Sequence, residues 1–306
     1  MPLNFGYAGI GKETTYGTAV APTAFFRLQE VAHLEADQKY AEVPGIDDFG
    51  LAAAIATTRT GKGDLAIVAT PAAIGHLFSG LLGAPATTGT APNYPPPFPP
   101  KATVPSYTIE TQDGTGVEKL LGAKVSEVTL THAADGLLTA KATLMGADKV
   151  VGGTPSTPAA ETTYFVQQMV GITFNALAHA QRAEDLEVRL SFNKELHAAF
   201  GQQPAAATEP TGEGDGTAQM TLRYSSTDDA GKFADMINGT TRSVSIVWTK
   251  DANTSLTVAF TAYITADPYI LQNRDLRTAR VRLSLRAVRS GSPLVTLTLK
   301  NQNASY

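Results

Sequence analysis

Cysteine is absent from all 306 residues, which removes disulfides, thiol nucleophiles, zinc fingers and thiolate-held clusters together. Charge is scarce too. Asp, Glu, Lys and Arg make up 17% of the chain, against about a quarter in an ordinary globular protein, so much of the surface is expected to be covered by something other than water. No apolar run approaches the roughly 20 residues that cross a bilayer, and the opening MPLNFGYAGIGKETTYG has neither the basic end nor the apolar centre of a secretion signal; no membrane association and a cytoplasmic site of synthesis are expected. A net charge of -4 with a pI near 5.8 argues against a protein that grips nucleic acid through its phosphates.

What is present is strand. Residues alternate apolar and polar through Lys124–Thr131, Leu138–Leu144, Leu186–Phe192, Ala218–Tyr224, Ser243–Trp248, Leu256–Ile264, Val281–Leu285 and Leu294–Leu299, the period of a sheet with one wet face. The fold class is all-β. Ala134-Asp135-Gly136 reads as a tight hairpin turn in which glycine takes a positive φ. Only Pro71–Leu82 and Ser226–Ile237 read as helices, the first opening on proline and the second on capping residues and acids.

The two helical segments have matching surroundings. Thr60-Gly61-Lys62-Gly63-Asp64 and then a strand precede the first; Thr211-Gly212-Glu213-Gly214-Asp215 and then a strand precede the second. Upstream of each lies a strand-like stretch and a long loop, and downstream a hairpin, Lys124–Met145 or Ser243–Ile264. The pattern reads as an internal duplication with a period of about 150 residues. It divides the chain into a first β domain, 1–150, with an N-terminal arm (1–25) and a Pro-rich insertion (84–105); a Gly/Pro/Thr linker, 151–163; and a second β domain, 164–306. The run Pro95-Pro96-Pro97-Phe98-Pro99-Pro100 reads as a stiff surface insertion.

Catalytic and ligand motifs are missing. The histidines His33, His76, His132, His179 and His197 show no H-x-x-x-H or H-E-x-x-H spacing, so no metal site is expected. Gly9-Ile10-Gly11 lacks the rest of a dinucleotide fingerprint and reads as part of a flexible arm. The two T-G-x-G-D segments lack the acids of an EF-hand and read as turn glycines entering strands. Asp47-Asp48 and Asp228-Asp229 are adjacent, so their carboxyls point apart instead of flanking a scissile bond. No enzyme activity and no cofactor are expected. Arg280, Arg282 and Arg286 share one strand parity and read as a salt-bridged face.

The segment Gly9-Ile10-Gly11-Lys12-Glu13-Thr14-Thr15-Tyr16-Gly17-Thr18-Ala19-Val20-Ala21-Pro22-Thr23, followed by Phe25-Phe26, resembles the N-terminal signature of the major tail tube proteins of long-tailed, non-contractile phages, and the order of later elements fits. The resemblance implies β-sandwich or barrel domains that join edge to edge into a ring and stack into a tube, with members carrying two tandem copies closing trimeric, pseudo-hexameric rings. It also implies a place in the virion tail after assembly in the host cytoplasm. The implied partners are further copies of the chain, a tape measure protein inside the tube, tail tip or baseplate and terminator proteins, and viral double-stranded DNA in transit without specific binding. The long loops, Ala41–Thr60 and Gly201–Thr211, are the expected stacking arms, with Glu42, Asp47, Asp48, Arg59, Gln202 and Glu209 as candidate contact residues. Asp64, Asp113, Glu127, Asp135 and Asp215 neighbour predicted barrel strands and are the candidate lumen residues. Two rivals are a carbohydrate-binding or adhesin-like β-sandwich module and a non-stacking terminator or baseplate ring protein of the same fold. The single Trp248, inside a predicted core strand, weighs against the first.

Overall fold

The computed structural model describes residues 6–46, 50–85, 94, 97–112, 114, 116–159, 163–196, 208–225, 229, 231–270, 279–290, 293–303 and 306. Strand dominates among the described residues, with two short α-helices. The first half holds β1 (Tyr7–Lys12), β2 (Ala24–Arg27), β3 (His33–Pro44), β4 (Leu51–Val68), α1 (Ile74–Leu82), β5 (Pro97–Phe98), β6 (Tyr107–Gln112), β7 (Val117–Ala133), β8 (Thr139–Gly146) and β9 (Asp148–Val151). The second holds β10 (Val170–Phe174), β11 (Leu177–Ala178), β12 (Ala183–Leu196), β13 (Thr208–Arg223), α2 (Lys232–Ile237), β14 (Arg242–Asp251), β15 (Thr254–Ile264), β16 (Tyr269–Ile270), β17 (Arg280–Ala287) and β18 (Val295–Lys300).

Seven strand pairings of the first half recur in the second. β1 lies between β2 and β6 as β10 lies between β11 and β14. The hairpin β3–β4 matches β12–β13, and β4–β8 matches β13–β17. The strand β7 pairs β6 and β9 through its first part and β8 through its second, and β15 does the same with β14, β18 and β17. This places the matching hairpin one strand earlier than the alternation suggests: β14–β15 corresponds to β6–β7, because the 97–112 region contributes strands that the proline run conceals. Inward side chains of most of these strands form one hydrophobic cluster that spans both halves. Its alternating burial, as in β15 and β17, explains why these strands were readable from sequence.

The structure corrects several expectations. The supposed arm contains β1, a core strand in which Tyr7–Gly11 are buried. Neighbours on both edges and burial on both faces remove alternation, and Gly11 sits where a Cβ would lie 2.5 Å from the carbonyl oxygen of Ala21. The proline run is likewise not a plain surface insertion: Phe98 pairs with Leu297 and is 2% exposed, against Phe78 and Tyr306. Most of Ala41–Thr60 is strand, since β3 and β4 form a long hairpin closed by Gly45 N–H donating to the Gly50 carbonyl. The T-G-x-G-D glycines lie within β4 and β13, not in turns. A Cβ on Gly63 would press on Leu34, and one on Gly214 would collide with the Phe192 ring, so both halves use a missing side chain to seat a large cross-strand neighbour. The Asp135 turn closes through Gly136 N–H to the Ala133 carbonyl, without the positive φ expected at Gly136.

Candidate assembly surfaces

Three pairings among the described residues have no counterpart in the other half: β5–β18, β16–β17 and β7–β12. The last joins the halves edge to edge. Asp185–Ser191 runs antiparallel to Glu127–Ala133 without a register shift, producing one sheet in the order β3-β4-β8-β7-β12-β13-β17. One face of it buries Leu65, Ala142, Leu130, Val188, Met220 and Leu283. The other faces solvent.

That solvent face is charged, and most of its charges are matched. Lys62 Nζ lies 2.8 Å from Glu35, Arg189 2.6 Å from Glu127, Arg286 3.1 Å from Asp215 and Arg280 2.6 Å from Glu184. Thr143 donates to Asp64 at 2.8 Å, and Arg282 to Gln219 at 2.5 Å. The Lys62 hydrogen bond holds Glu35 below the usual carboxylate range, while the hydrogen bonds to Glu127 and Asp215 raise Arg189 and Arg286. Each pair is solvent-screened and stabilises the fold little. Together they leave a wall in which most of the cations already hold carboxylates or amides.

Two arms extend from this sheet. The β3–β4 arm exposes Tyr40, Val43, Ile46, Leu51 and Ile55, with Ile46 at 98% exposure. Its strands have no core to face, and register shifts at Gln38/Tyr40 and Val43/Pro44 break the period, which is why the sequence reads there as loop. The second arm is the distal part of β12 and β13, paired from Lys194↔Pro210 to Leu196↔Thr208 beyond a register shift. Lys194 fixes its root. The side chain is 4% exposed and donates to the Gly80 carbonyl at 2.6 Å, to Leu81 at 3.2 Å and to Val125, placing a cation at the end of α1, where helix carbonyls lack partners. Burial pushes its ammonium down to about 7, with Lys124 adding repulsion.

Other buried polar groups join distant segments. Trp248 Nε1 donates to His132 Nδ1 at 2.9 Å across the two halves, and burial lowers the His132 pKa. Glu13 accepts from Gly17 N–H (2.9 Å), Thr108 Oγ1 (2.9 Å) and Gly122 N–H (2.8 Å), while Tyr16 lies where a Gly122 Cβ would need room. The E-x-x-Y-G segment therefore clamps the point where β7 leaves one sheet for the other.

The sequence candidates divide between these surfaces. Asp64, Glu127 and Asp215 share the solvent face of the continuous sheet, and Asp135 is exposed in the β7–β8 turn. Glu42 is exposed near the tip of the first arm. Arg59 points back toward the body, paired with Asp148. Glu209 lies in the β13 backbone opposite Glu195. Asp47, Asp48, Asp113 and Gln202 lie outside the described residues. Sequence reading missed Lys194 as a buried anchor, since a lone lysine between polar neighbours has no local mark of burial. Of the three arginines of β17, Arg280 and Arg286 form the salt bridges expected of them, while Arg282 donates to the Gln219 amide instead.

No group of three or more metal-ligating side chains occurs among the described residues. A family model described as phage tail tube protein matches residues 6–283. No curated protein matches the chain.

Proposed function

Because the chain belongs to the phage tail tube protein family, we propose that three copies close into a ring and that such rings stack into the conduit of a long, non-contractile tail. The protein is a structural component of the virion tail tube. The observation that carries the finer reading is the β7–β12 seam: two similarly paired halves lie side by side in one sheet, so a chain contributes two units to any ring it forms. The division is into domains 1–150 and 164–306 around the linker 151–163, which makes a three-chain ring pseudo-sixfold. Closing such a sheet on itself removes the edges that an open sheet exposes.

The solvent face bearing Asp64, Glu127 and Asp215 lines the bore. Duplex DNA offers one negative charge per roughly 1.7 Å of axis, and a wall of free cations would hold it at many points. Here Arg189, Arg280 and Arg286 are engaged with carboxylates, which favours passage over binding. The β3–β4 arm, with its exposed apolar row, and the β12–β13 arm make the contacts between rings. Assembly in the host cytoplasm proceeds around a tape measure protein, between a tail tip or baseplate and a terminator.

Negative-stain electron microscopy of the untagged protein over a concentration series tests this. Hollow tubes with threefold rings are expected. Rings that never stack would indicate a terminator or baseplate component instead, and monomers at every concentration, even with tail-tip complex added, would remove assembly as the function.

A further inference from the structure

The two helices end differently. At the end of α1, the Ser79 carbonyl accepts from Gly83 N–H at 2.9 Å and the Leu82 carbonyl from Lys101 N–H at 2.8 Å, while those of Gly80 and Leu81 accept from Lys194 at 2.6 and 3.2 Å. Lys194 belongs to the second half, which the β7–β12 seam sets beside the first. The last turn of α1 is closed, with Leu81 and Leu82 each 1% exposed. The end of α2 caps itself. Asn238, Gly239 and Thr240 donate their N–H groups to the carbonyls of Ala234, Met236 and Asp235 at 2.9, 3.2 and 2.8 Å, so these need no lysine. The charged side chains of α2 are engaged as well, Asp235 with Arg242 at 2.6 Å and Lys232 with Asp229. What its last turn presents outward is apolar: Ile237 is 66% exposed.

The position in the first half that corresponds to Lys194 is Ala36. Leu34 packs where Gly63 lacks a side chain, and Phe192 packs where Gly214 does, each glycine directly preceding the aspartate of the repeat. Ala36 and Lys194 follow two residues later, on the same faces of their strands as Leu34 and Phe192. Lys194 is buried against the end of α1, whereas Ala36, opposite Gly61 on β4, is exposed. Around Ala36, β3 sorts its residues by face. Leu34, Ala36, Gln38 and Tyr40 on one side carry no charge, while Glu35, Asp37 and Lys39 on the other are all charged. Tyr40 is 59% exposed, so the uncharged side lacks a cover among the described residues.

We infer that the uncharged face of β3 at Ala36 and Tyr40 in one copy covers the last turn of α2, at Ile237, in the next copy of the same ring. This rests on the ring reading and names one of its contacts. The occupant is a second copy because the chain already holds one contact of this kind: the root of the β12–β13 arm lies on α1 across the junction of the two halves. A ring of such chains repeats that junction between copies, and the parts left to meet there are the root of the β3–β4 arm and α2. Each root suits its helix. A buried cation serves α1, whose Gly80 and Leu81 carbonyls accept from it, and a small apolar residue beside an aromatic one serves α2, which caps itself and offers an isoleucine. The root of the arm is thus used within the ring, and its tip is left for the ring above or below.

The cysteine-free sequence makes the test clean. Ile237→Cys alone reports the cover: its alkylation by a maleimide is expected to be fast in dissociated chains and lost in assembled protein. Ala36→Cys/Ile237→Cys and Tyr40→Cys/Ile237→Cys are then treated, after assembly, with a short bifunctional thiol reagent and read by denaturing electrophoresis. Both are expected to give covalent ladders that stop at the ring size seen by microscopy, and the second pair guards against the first failing to assemble. Lys39→Cys/Ile237→Cys, with its arm thiol on the charged face, and each single-cysteine variant should give no ladder. Three results overturn this contact while leaving the ring reading intact: rings or tubes in which Ile237→Cys still alkylates freely, protection without a crosslink from either pair, or a ladder that runs past the ring size. If the unsubstituted chain forms no multimer, the ring reading fails and this contact fails with it.

Discussion

The two helices occupy matching places in the two halves, yet α1 is buried at every residue while α2 buries only Lys232 and leaves Phe233 at 43% and Ile237 at 66% exposure. The difference comes from the neighbours each helix has. Lys194 at the root of the second arm binds the end of α1, and Tyr306 packs over Gly75, with its ring 5.3 Å from that of His76. On β7 the helix approaches so closely that a Cβ at Gly80 would lie 2.8 Å from Val125. The second half covers α1, and nothing among the described residues encloses α2 in the same way. Helices in equivalent places thus have different compositions: IGHLFSGLL is apolar all round, as a helix enclosed on all sides must be, and KFADMI is not.

The enclosure of α1 is most sensitive at Gly75. Gly75→Val drives a branched side chain into the Tyr306 ring and is expected to abolish soluble, cooperatively unfolding protein, whereas Gly231→Ala at the start of α2 meets open space and should leave the unfolding midpoint unchanged. Phe78→Ala should cost about 3–5 kcal/mol in chemical denaturation, the usual loss for a buried aromatic ring. A third difference is pH dependence. Burial lowers the His76 pKa to about 4, so the folded chain binds fewer protons than the unfolded one between that value and the ordinary 6.5, and stability should fall as pH drops through this window. His76→Gln should flatten that part of the denaturation-versus-pH curve relative to the parent. The smallest effect on the isolated chain belongs to Ile237→Ser, expected within about 0.5 kcal/mol. Its consequence should appear in sedimentation as weaker assembly, and unchanged assembly would show that α2 stays uncovered in the tube.

Strands with one wet face were legible because alternation records burial: β15 and β17 follow it residue by residue. β1 was not, since burial on both faces and its glycines erase the period, and the β3–β4 arm was not, since a hairpin without a core has nothing to alternate against. Asp64, Glu127 and Asp215 could be placed near strands, but their common face depends on the β7–β12 pairing. A pairing between strands so far apart leaves no local mark. The same holds for Arg59, whose partner Asp148 lies far along the chain. The repeated T-G-x-G-D was visible as a repeat; its purpose, to make room for Leu34 and Phe192, was not.

β7 belongs to both sheets of the first half, passing from one to the other near Gly122, whose φ of 64° lets the backbone turn where Glu13 holds it. β15 makes the same passage in the second half. The layers are consequently stitched by main chain, like two plies sharing continuous threads. A load applied to one sheet reaches the other through covalent bonds, and shear between the plies would have to deform those strands before one sheet could slide over its neighbour.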